Sequence, residues 1–175
     1  NDRFIENLRE QYHHAALEIK VDKKTNGDSL SEQQFWSIIH SLDWSKGDEN
    51  SDAVIEPAVK KLVAHPVRHI YEFQDILAKK LHALDTRAHA ENAGENAWKG
   101  ENDFFSVDEF LYARCCVVAN GEAFFKQVLK DPTAMPQDLT FEALLRIARK
   151  AYRLKTGKEF RYVPTSNMET FANRK

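Results

Sequence analysis

The spacing of apolar residues along the chain predicts a protein built almost entirely of α-helices. Over the first twenty residues, apolar positions recur at three- and four-residue steps, as on one helix face: Phe4, Ile5, Leu8, Tyr12, Ala15, Leu17 and Ile19. The polar stretch 22–29, which contains Gly27, interrupts this pattern. We therefore expect residues 1–30 to form an N-terminal helical extension and residues 31–175 to form a single helical domain.

Start signals for further helices lie inside this domain. Ser31 with Gln34, and Ser106 with Glu109, are capping boxes, in which each side chain satisfies a free N–H group at the start of a helix. Pro57 suits the first turn of another helix, where its missing N–H costs little. The sequence therefore predicts helices that begin at three separate places between residues 31 and 110.

The longest predicted helix runs from about Val67 to Ala90, and Thr140 is predicted to cap a later helix that ends at Gly157. A shorter helix is expected over residues 122–130. Inward positions of the longest helix repeat at helical spacing: Ile70, Phe73, Leu77, Leu81 and Leu84.

The C-terminal region gives weaker signals. Residues 160–163 alternate apolar and charged side chains, which predicts at most a short extended segment, and Ser166 with Glu169 predicts a last helical turn. The expected fold class is therefore all-α: a single-domain bundle of seven to eight helices without a β-sheet.

The segment 111–119 is apolar on most sides of its predicted helix, which indicates a central, buried position. It contains the adjacent pair Cys115 and Cys116, and consecutive cysteines rarely form a structural disulfide because the geometry is strained. We expect two reduced, packed thiols, as in a reducing compartment. A reactive thiol would need a lowered pKa, which this apolar setting does not favour.

Composition narrows the class of protein. Hydrophobic residues make up 42% of the chain and charged residues 30%, which is ordinary for a globular protein. No apolar stretch approaches the length of a membrane span, and charges at Asp2, Arg3 and Glu6 occupy the place of a signal-peptide core. Twenty-five basic residues against 27 acidic ones give no global attraction to nucleic acid. We expect a cytoplasmic protein that does not bind membranes.

A cluster of polar residues is expected at the end of the longest helix. Asp85, Arg87 and His89 could form an anion-binding or acid–base site, because arginine presents a planar fork to anions and histidine titrates near neutrality. The alternative is that they end the helix and form an interhelical ion pair, which is a common structural device.

A second cluster lies on the predicted central helix and comprises Asp108, Tyr112 and Arg114. Because Arg114 sits in the most apolar helix, it must find a partner or reach solvent. A buried pair with Asp85 would join the two clusters into one polar pocket; the alternative is a structural ion pair that fixes helix packing.

Metal and cofactor chemistry is not indicated. His65 and His69 are four residues apart, but Pro66 between them argues against a shared helix face. No phosphate loop, dinucleotide fingerprint, nucleophile elbow or zinc signature occurs. We therefore predict no metal and no cofactor, and we favour a protein that is not an enzyme.

Two features predict a surface for a partner. Arg146, Arg149, Lys150 and Arg153 begin a basic stripe, which could meet nucleic acid, attract an acidic face in a homodimer, or simply be solvated. Trp98, in a glycine-flanked polar loop, could anchor a partner or fold back over the core.

Four ordered stretches resemble one bacterial family: 35–39 with 42–44, 84–90, 105–121, and 151–152 with 155–157. They are similar to the family known only as domain of unknown function 4240, over about residues 31–171. The resemblance implies a bacterial origin and a stand-alone domain, and it supplies no activity and no catalytic residues.

The leading hypothesis is an interaction module that binds another protein through a helical surface, with immunity to a toxin or regulation as specific versions. The missing catalytic signatures, the separated charges and the tryptophan favour it. An enzyme or a binder of small anionic ligands at the polar pocket is the alternative, and nucleic-acid binding through residues 146–161 is the weaker one.

Overall fold

The computed structural model describes residues 29–47, 51–168 and 171. The predicted extension over residues 1–30 falls almost entirely outside this part of the chain, and Glu169, on which the predicted last helical turn depends, is also outside it. Seven α-helices and no strand occur in the described residues: α1 Glu32–Ile39, α2 Ser51–Val63, α3 Val67–Ala83, α4 Arg87–Ala90, α5 Val107–Ala119, α6 Glu122–Lys130 and α7 Ile147–Thr156. The all-α prediction is confirmed.

Both predicted capping boxes mark the start of a helix. At α1, Gln34 N–H donates to Ser31 Oγ over 3.1 Å, while Ser31 N–H donates to the Gln34 side chain over 2.8 Å. At α5, Glu109 N–H donates to Ser106 Oγ over 3.2 Å. The side chains therefore satisfy N–H groups that the first turn of each helix would otherwise leave unbonded.

The prediction for Pro57 is wrong about where its helix begins. Pro57 lies inside α2 rather than in its first turn, because the helix already extends over residues 51–56. Val54 and Ile55, which precede the proline, are fully buried. Burial of this apolar face favours the helix strongly enough to tolerate an interior proline.

The predicted helix over residues 67–90 is interrupted in the structure. α3 ends at Ala83, and α4 is a separate single turn that begins after Thr86, whose hydroxyl accepts the N–H of His89. The break places Asp85 in a buried, non-helical position. Apolar spacing alone did not reveal the break, since Leu84 continues the pattern and is itself buried.

The helix predicted after Thr140 also starts differently. Residues Glu142–Arg146 form a 3-10 turn that leads into α7, and Phe141 rather than Thr140 is the residue at the cap. The predicted end is confirmed, because Gly157 adopts the left-handed conformation with φ of 70° that glycine tolerates best. The segment 160–163 forms neither a helix nor a strand.

α5 lies at the centre of the bundle, as its apolar sequence predicted. Nine of its 13 residues are buried, including the two free cysteines. Burial raises the pKa of the Cys115 thiol, which opposes formation of the nucleophilic thiolate. α2 and α7 pack together extensively on one side of the bundle, so the basic stripe of α7 faces outward beside α2.

The C-terminal segment after α7 is attached to α3 by hydrogen bonds to the carboxylate of Asp75. Asp75 accepts a hydrogen bond of 2.7 Å from Tyr162 Oη and one of 2.9 Å from Thr165 N–H. These bonds hold the segment across the bundle, and they bring its aromatic residues next to α7. Among the described residues, none of the helices has the length and apolar character that crossing a bilayer requires.

Candidate functional site: a sealed centre and an open basic cleft

The predicted pairing of Asp85 with Arg114 is present in the core. Arg114 Nη1 lies 3.3 Å from Asp85 Oδ1, and neither side chain is exposed to solvent. The chain reaches this arrangement because the break between α3 and α4 turns Asp85 inward towards α5. Burial lowers the pKa of Arg114, and the neighbouring carboxylate opposes that shift.

Backbone carbonyls complete the surroundings of the guanidinium. Arg114 donates from Nη1 to Leu81 O over 2.9 Å, from Nη2 to Met168 O over 3.2 Å, and from Nε to Phe110 O over 3.3 Å. The group also lies 4.6 Å from the centre of the Phe110 ring. Arg114 thus joins the end of α3, the C-terminal segment and α5 into one packed unit.

His89 is also engaged internally. It is buried, its Nε2 lies 3.1 Å from Val128 O, and its Nδ1 lies 2.6 Å from Thr86 Oγ1. Since a carbonyl only accepts, Nε2 carries the proton and Nδ1 accepts from the threonine hydroxyl. Burial lowers the pKa of His89, which keeps the ring neutral.

The remaining members of the predicted pocket lie elsewhere. Arg87 is exposed, where it pairs with Glu91 at 3.0 Å and stacks 4.3 Å from the centre of the Trp98 ring. Asp108 is exposed in the first turn of α5. Tyr112 is partly buried, and burial followed by nearby carboxylates raises its pKa.

The six predicted pocket residues therefore do not line one cleft. Asp85, His89 and Arg114 are sealed in the core, whereas Arg87 and Asp108 face solvent. A ligand or catalytic role for the cluster stays a prediction. Among the described residues, no three histidine, cysteine or acidic side chains are grouped so that they could hold a metal ion.

Two of the four residues that begin the predicted basic stripe form ion pairs with α2. Arg146 Nη2 lies 3.1 Å from Asp52 Oδ1 and 3.0 Å from Ser51 Oγ, and Lys150 Nζ lies 2.7 Å from Asp52 Oδ2. The hydrogen bond from Lys150 lowers the pKa of Asp52. These two cations therefore help to dock α7 against α2.

The other half of the stripe opens onto a cleft of about 610 Å³. Arg149, Arg153 and Lys158 are exposed and line this cleft, and no acidic side chain in the described part of the chain pairs with any of them. Glu159 also lines the cleft, and its carboxylate accepts hydrogen bonds of 2.9 and 3.0 Å from Arg161. The cleft therefore has three positive charges without an internal counterion.

Apolar groups accompany these charges. Leu154 on α7 is 69% exposed, with Lys150 one turn before it and Lys158 four residues after it. Phe160 forms one wall of the cleft. Leu154 is not part of the cleft lining, but it follows Arg153 on α7 and leaves an exposed aliphatic side chain near the cleft.

The wall of the cleft belongs to an aromatic cluster that the sequence analysis missed. Phe160 stacks on Tyr71 with ring centres 5.8 Å apart, and Tyr152 lies 5.3 Å from Phe160. A hydrogen bond with Tyr152 raises the pKa of Tyr71 to about 12, and burial with the Asp75 contact raises that of Tyr162 to about 12. Both phenols therefore stay protonated at neutral pH. The alternating residues 160–163 were the available signal.

Trp98 is partly buried in the structure. Its backbone N–H donates to Ala90 O over 2.9 Å, and its ring lies beside Phe171, with ring centres 6.4 Å apart. The indole thus packs partly against the core, while Arg87 covers it on another side. Its predicted contact with a partner stays a prediction.

Comparison with known families gives one match. The family model described as Protein of unknown function (DUF4240) matches residues 30–154, which include α1 to α6 and most of α7. The match covers Asp85, Arg114, Arg149 and Arg153, and it ends before Lys158. Comparisons with curated proteins and with solved structures give no match.

Proposed function

The chain belongs to this family of proteins of unknown function, and we propose that it is a protein-interaction module that binds an acidic segment of another protein through the α7 cleft. The observation that carries the proposal is the set of three exposed cations, Arg149, Arg153 and Lys158, which no acidic side chain of the described chain neutralises. An acidic partner would supply the missing counterions.

The apolar residues favour a protein over a nucleic acid as the partner. Leu154, next to Arg153 on α7, offers an aliphatic contact near the cleft, and its exposure of 69% leaves it available. A nucleic-acid surface would instead combine cations with exposed aromatic rings for stacking. Phe160 and its neighbours Tyr71 and Tyr152 are stacked on each other, which leaves their faces less accessible to bases.

Arginine pairs are well suited to carboxylates. Arg149 and Arg153 are four residues apart on α7, so both project from the same helix face beside the cleft. Each guanidinium can donate two parallel hydrogen bonds to one carboxylate. A segment that carries two acidic side chains and one apolar side chain therefore matches the cleft.

Site-specific photo-crosslinking in the native host tests this proposal. A photoreactive residue is placed at position 154, and the matched control carries it at position 129, because Leu129 is also exposed but lies on α6. We expect one protein to be crosslinked at position 154 only, through an acidic segment identified by mass spectrometry.

Charge reversal in the same experiment separates specific binding from net charge. Arg149→Glu with Arg153→Glu should abolish the crosslink, whereas Lys99→Glu with Lys130→Glu should preserve it while changing the net charge equally. A crosslink to nucleic acid, to a second copy of the chain, or to nothing would overturn the proposal. Nucleic-acid capture would support the basic-stripe alternative, and self-capture would support a homodimer.

A further inference from the structure

Two histidine rings meet at the turn between α2 and α3. His65 lies in the turn after α2, His69 lies in the first turn of α3, and their Nδ1 atoms are 3.1 Å apart. Pro66 was expected to prevent a shared face. Instead its extended backbone, with ψ of 152°, directs His65 back towards α3, and His69 N–H donates to Pro66 O over 2.9 Å.

The contact limits how many protons the two rings can hold. At 3.1 Å, one Nδ1 must donate its proton and the other must accept with its lone pair. This arrangement exists when both rings are neutral or when one of them carries an additional proton. When both are imidazolium ions, each Nδ1 bears a proton, no acceptor is left, and two positive charges face each other.

Positive charges lie near the pair on three helices. Lys61 on α2 and Lys155 on α7 both act on His65, and Arg68 on α3 adds a further cation to the same turn. Burial, followed by the charges of His69 and the two lysines, lowers the pKa of His65. The second protonation is therefore opposed by the contact itself and by its surroundings.

One carboxylate faces the pair from α3. Glu72 Oε2 lies 3.9 Å from Nε2 of His69 and accepts a hydrogen bond of 2.7 Å from Leu30 N–H. Glu72 can balance one positive charge on His69, which is buried, while His65 is only partly buried and can reach solvent. A doubly protonated pair is therefore relieved most easily when His65 moves outward.

We propose that the His65–His69 contact is a pH-sensitive latch, which closes the α2–α3 turn while at most one ring is charged and opens when both are protonated. The turn also holds the end of α7, because Lys155 Nζ donates to Val63 O over 2.8 Å. Opening would therefore loosen the attachment of α7. The latch is independent of the proposed partner, so either inference can fail without the other.

Nuclear magnetic resonance titration of the histidine side chains tests the latch in the intact chain. We expect His69→Gln to raise the pH at which His65 binds its proton, because the facing ring that opposes this protonation is then absent. His40→Gln, which alters an exposed histidine elsewhere, should leave the titration of His65 unchanged.

Amide hydrogen exchange gives the second measurement. After correction for intrinsic chemistry, exchange of the amide hydrogens of Ala64, His65 and Val67 should be on the order of tenfold faster at the pH where both rings are charged than at neutral pH. In His65→Gln the corrected rates should not depend on pH. An unchanged titration of His65 in His69→Gln, or equal protection of the unmodified chain at both pH values, would overturn the latch.

Discussion

Arg114 on α5 and Arg153 on α7 are both helical arginines, but they have opposite surroundings. Arg114 is fully buried and is satisfied by Asp85 and three backbone carbonyls. Arg153 is exposed on a cleft where no acidic side chain of the described chain neutralises it. A buried charge with a complete set of partners maintains a fold, whereas an exposed charge without one is available to another molecule.

The largest effect on stability is expected at the buried ion pair of Asp85 and Arg114. Asp85→Ala leaves the Arg114 guanidinium buried without its carboxylate, which should lower the free energy of unfolding by about 3–5 kcal/mol. Urea denaturation followed by circular dichroism measures this loss. Arg153→Met should change it by less than about 0.5 kcal/mol. Equal losses in the two variants would remove the distinction between the regions.

Lys80, a partly buried cation on α3, allows the same distinction to be tested. Lys80 Nζ lies 4.7 Å from the Trp36 ring centre and 4.9 Å from that of Phe125, and it pairs with Glu32. Lys80→Met should lower the free energy of unfolding by about 1–2 kcal/mol, because these cation–π contacts are lost. Lys79→Met, at the exposed neighbouring position, is the control, and a loss there of the same size would contradict the assignment.

Acid should destabilise the fold through the buried residue His89. The pKa of His89 is lowered in the folded chain by burial, so its contribution to stability is present above the unfolded value of about 6.5 and is lost as pH falls. The melting temperature should therefore decline between pH 7 and 5. In His89→Gln this decline should be smaller; an unchanged pH profile would show that His89 does not cause it.

Asp52 of α2 lies beside the basic stripe, because it pairs with Arg146, in the turn before α7, and with Lys150 of α7. Asp52→Asn should lower the free energy of unfolding by less than about 1 kcal/mol, since the pairs are partly exposed. It should also release two cations and strengthen capture of an acidic partner at position 154. Weaker capture would indicate that the ion pairs of Asp52 hold the cleft in the conformation that binds the partner, rather than occupying cations that the partner would bind.

The smallest effect on stability is expected at Leu154, whose side chain is largely exposed. Leu154→Ser should leave the unfolding midpoint in urea within experimental error. The same change should weaken partner binding, because an exposed aliphatic contact next to Arg153 is lost. A crosslinker placed at Glu159, which lines the cleft and is not one of the proposed binding cations, measures this loss, and undiminished crosslinking would remove Leu154 from the proposed interface.

Sequence periodicity predicted the helical class and the central position of α5, because a helix that is apolar on most sides must be buried. The same reasoning led to the buried Asp85–Arg114 pair, since a charge in such a helix needs a partner. It did not predict the break after Ala83, because Leu84 continues the apolar spacing.

The cleft itself could not be predicted from local pattern. The basic residues of α7 could be recognised in the sequence. The aromatic wall, however, is formed by Phe160, whose stacking partner Tyr71 lies far away in the chain on α3. Which cations remain unpaired also depends on the packing of α2, because Asp52 engages Arg146 and Lys150 only after the helices meet. The His65–His69 contact was missed since it depends on the path of the turn around Pro66.

One comparison of variants tests most directly whether the centre maintains the fold and the α7 face binds. The first variant, Asp85→Asn with Arg114→Met, removes both buried charges. The second variant, Arg149→Glu with Arg153→Glu, reverses the exposed charges. Crosslinking at position 154 is measured for each variant per folded molecule, and near-ultraviolet circular dichroism checks that the variant is folded. The account predicts that the first variant is less stable yet retains the crosslink, while the second is stable and loses it. The opposite pattern would contradict it.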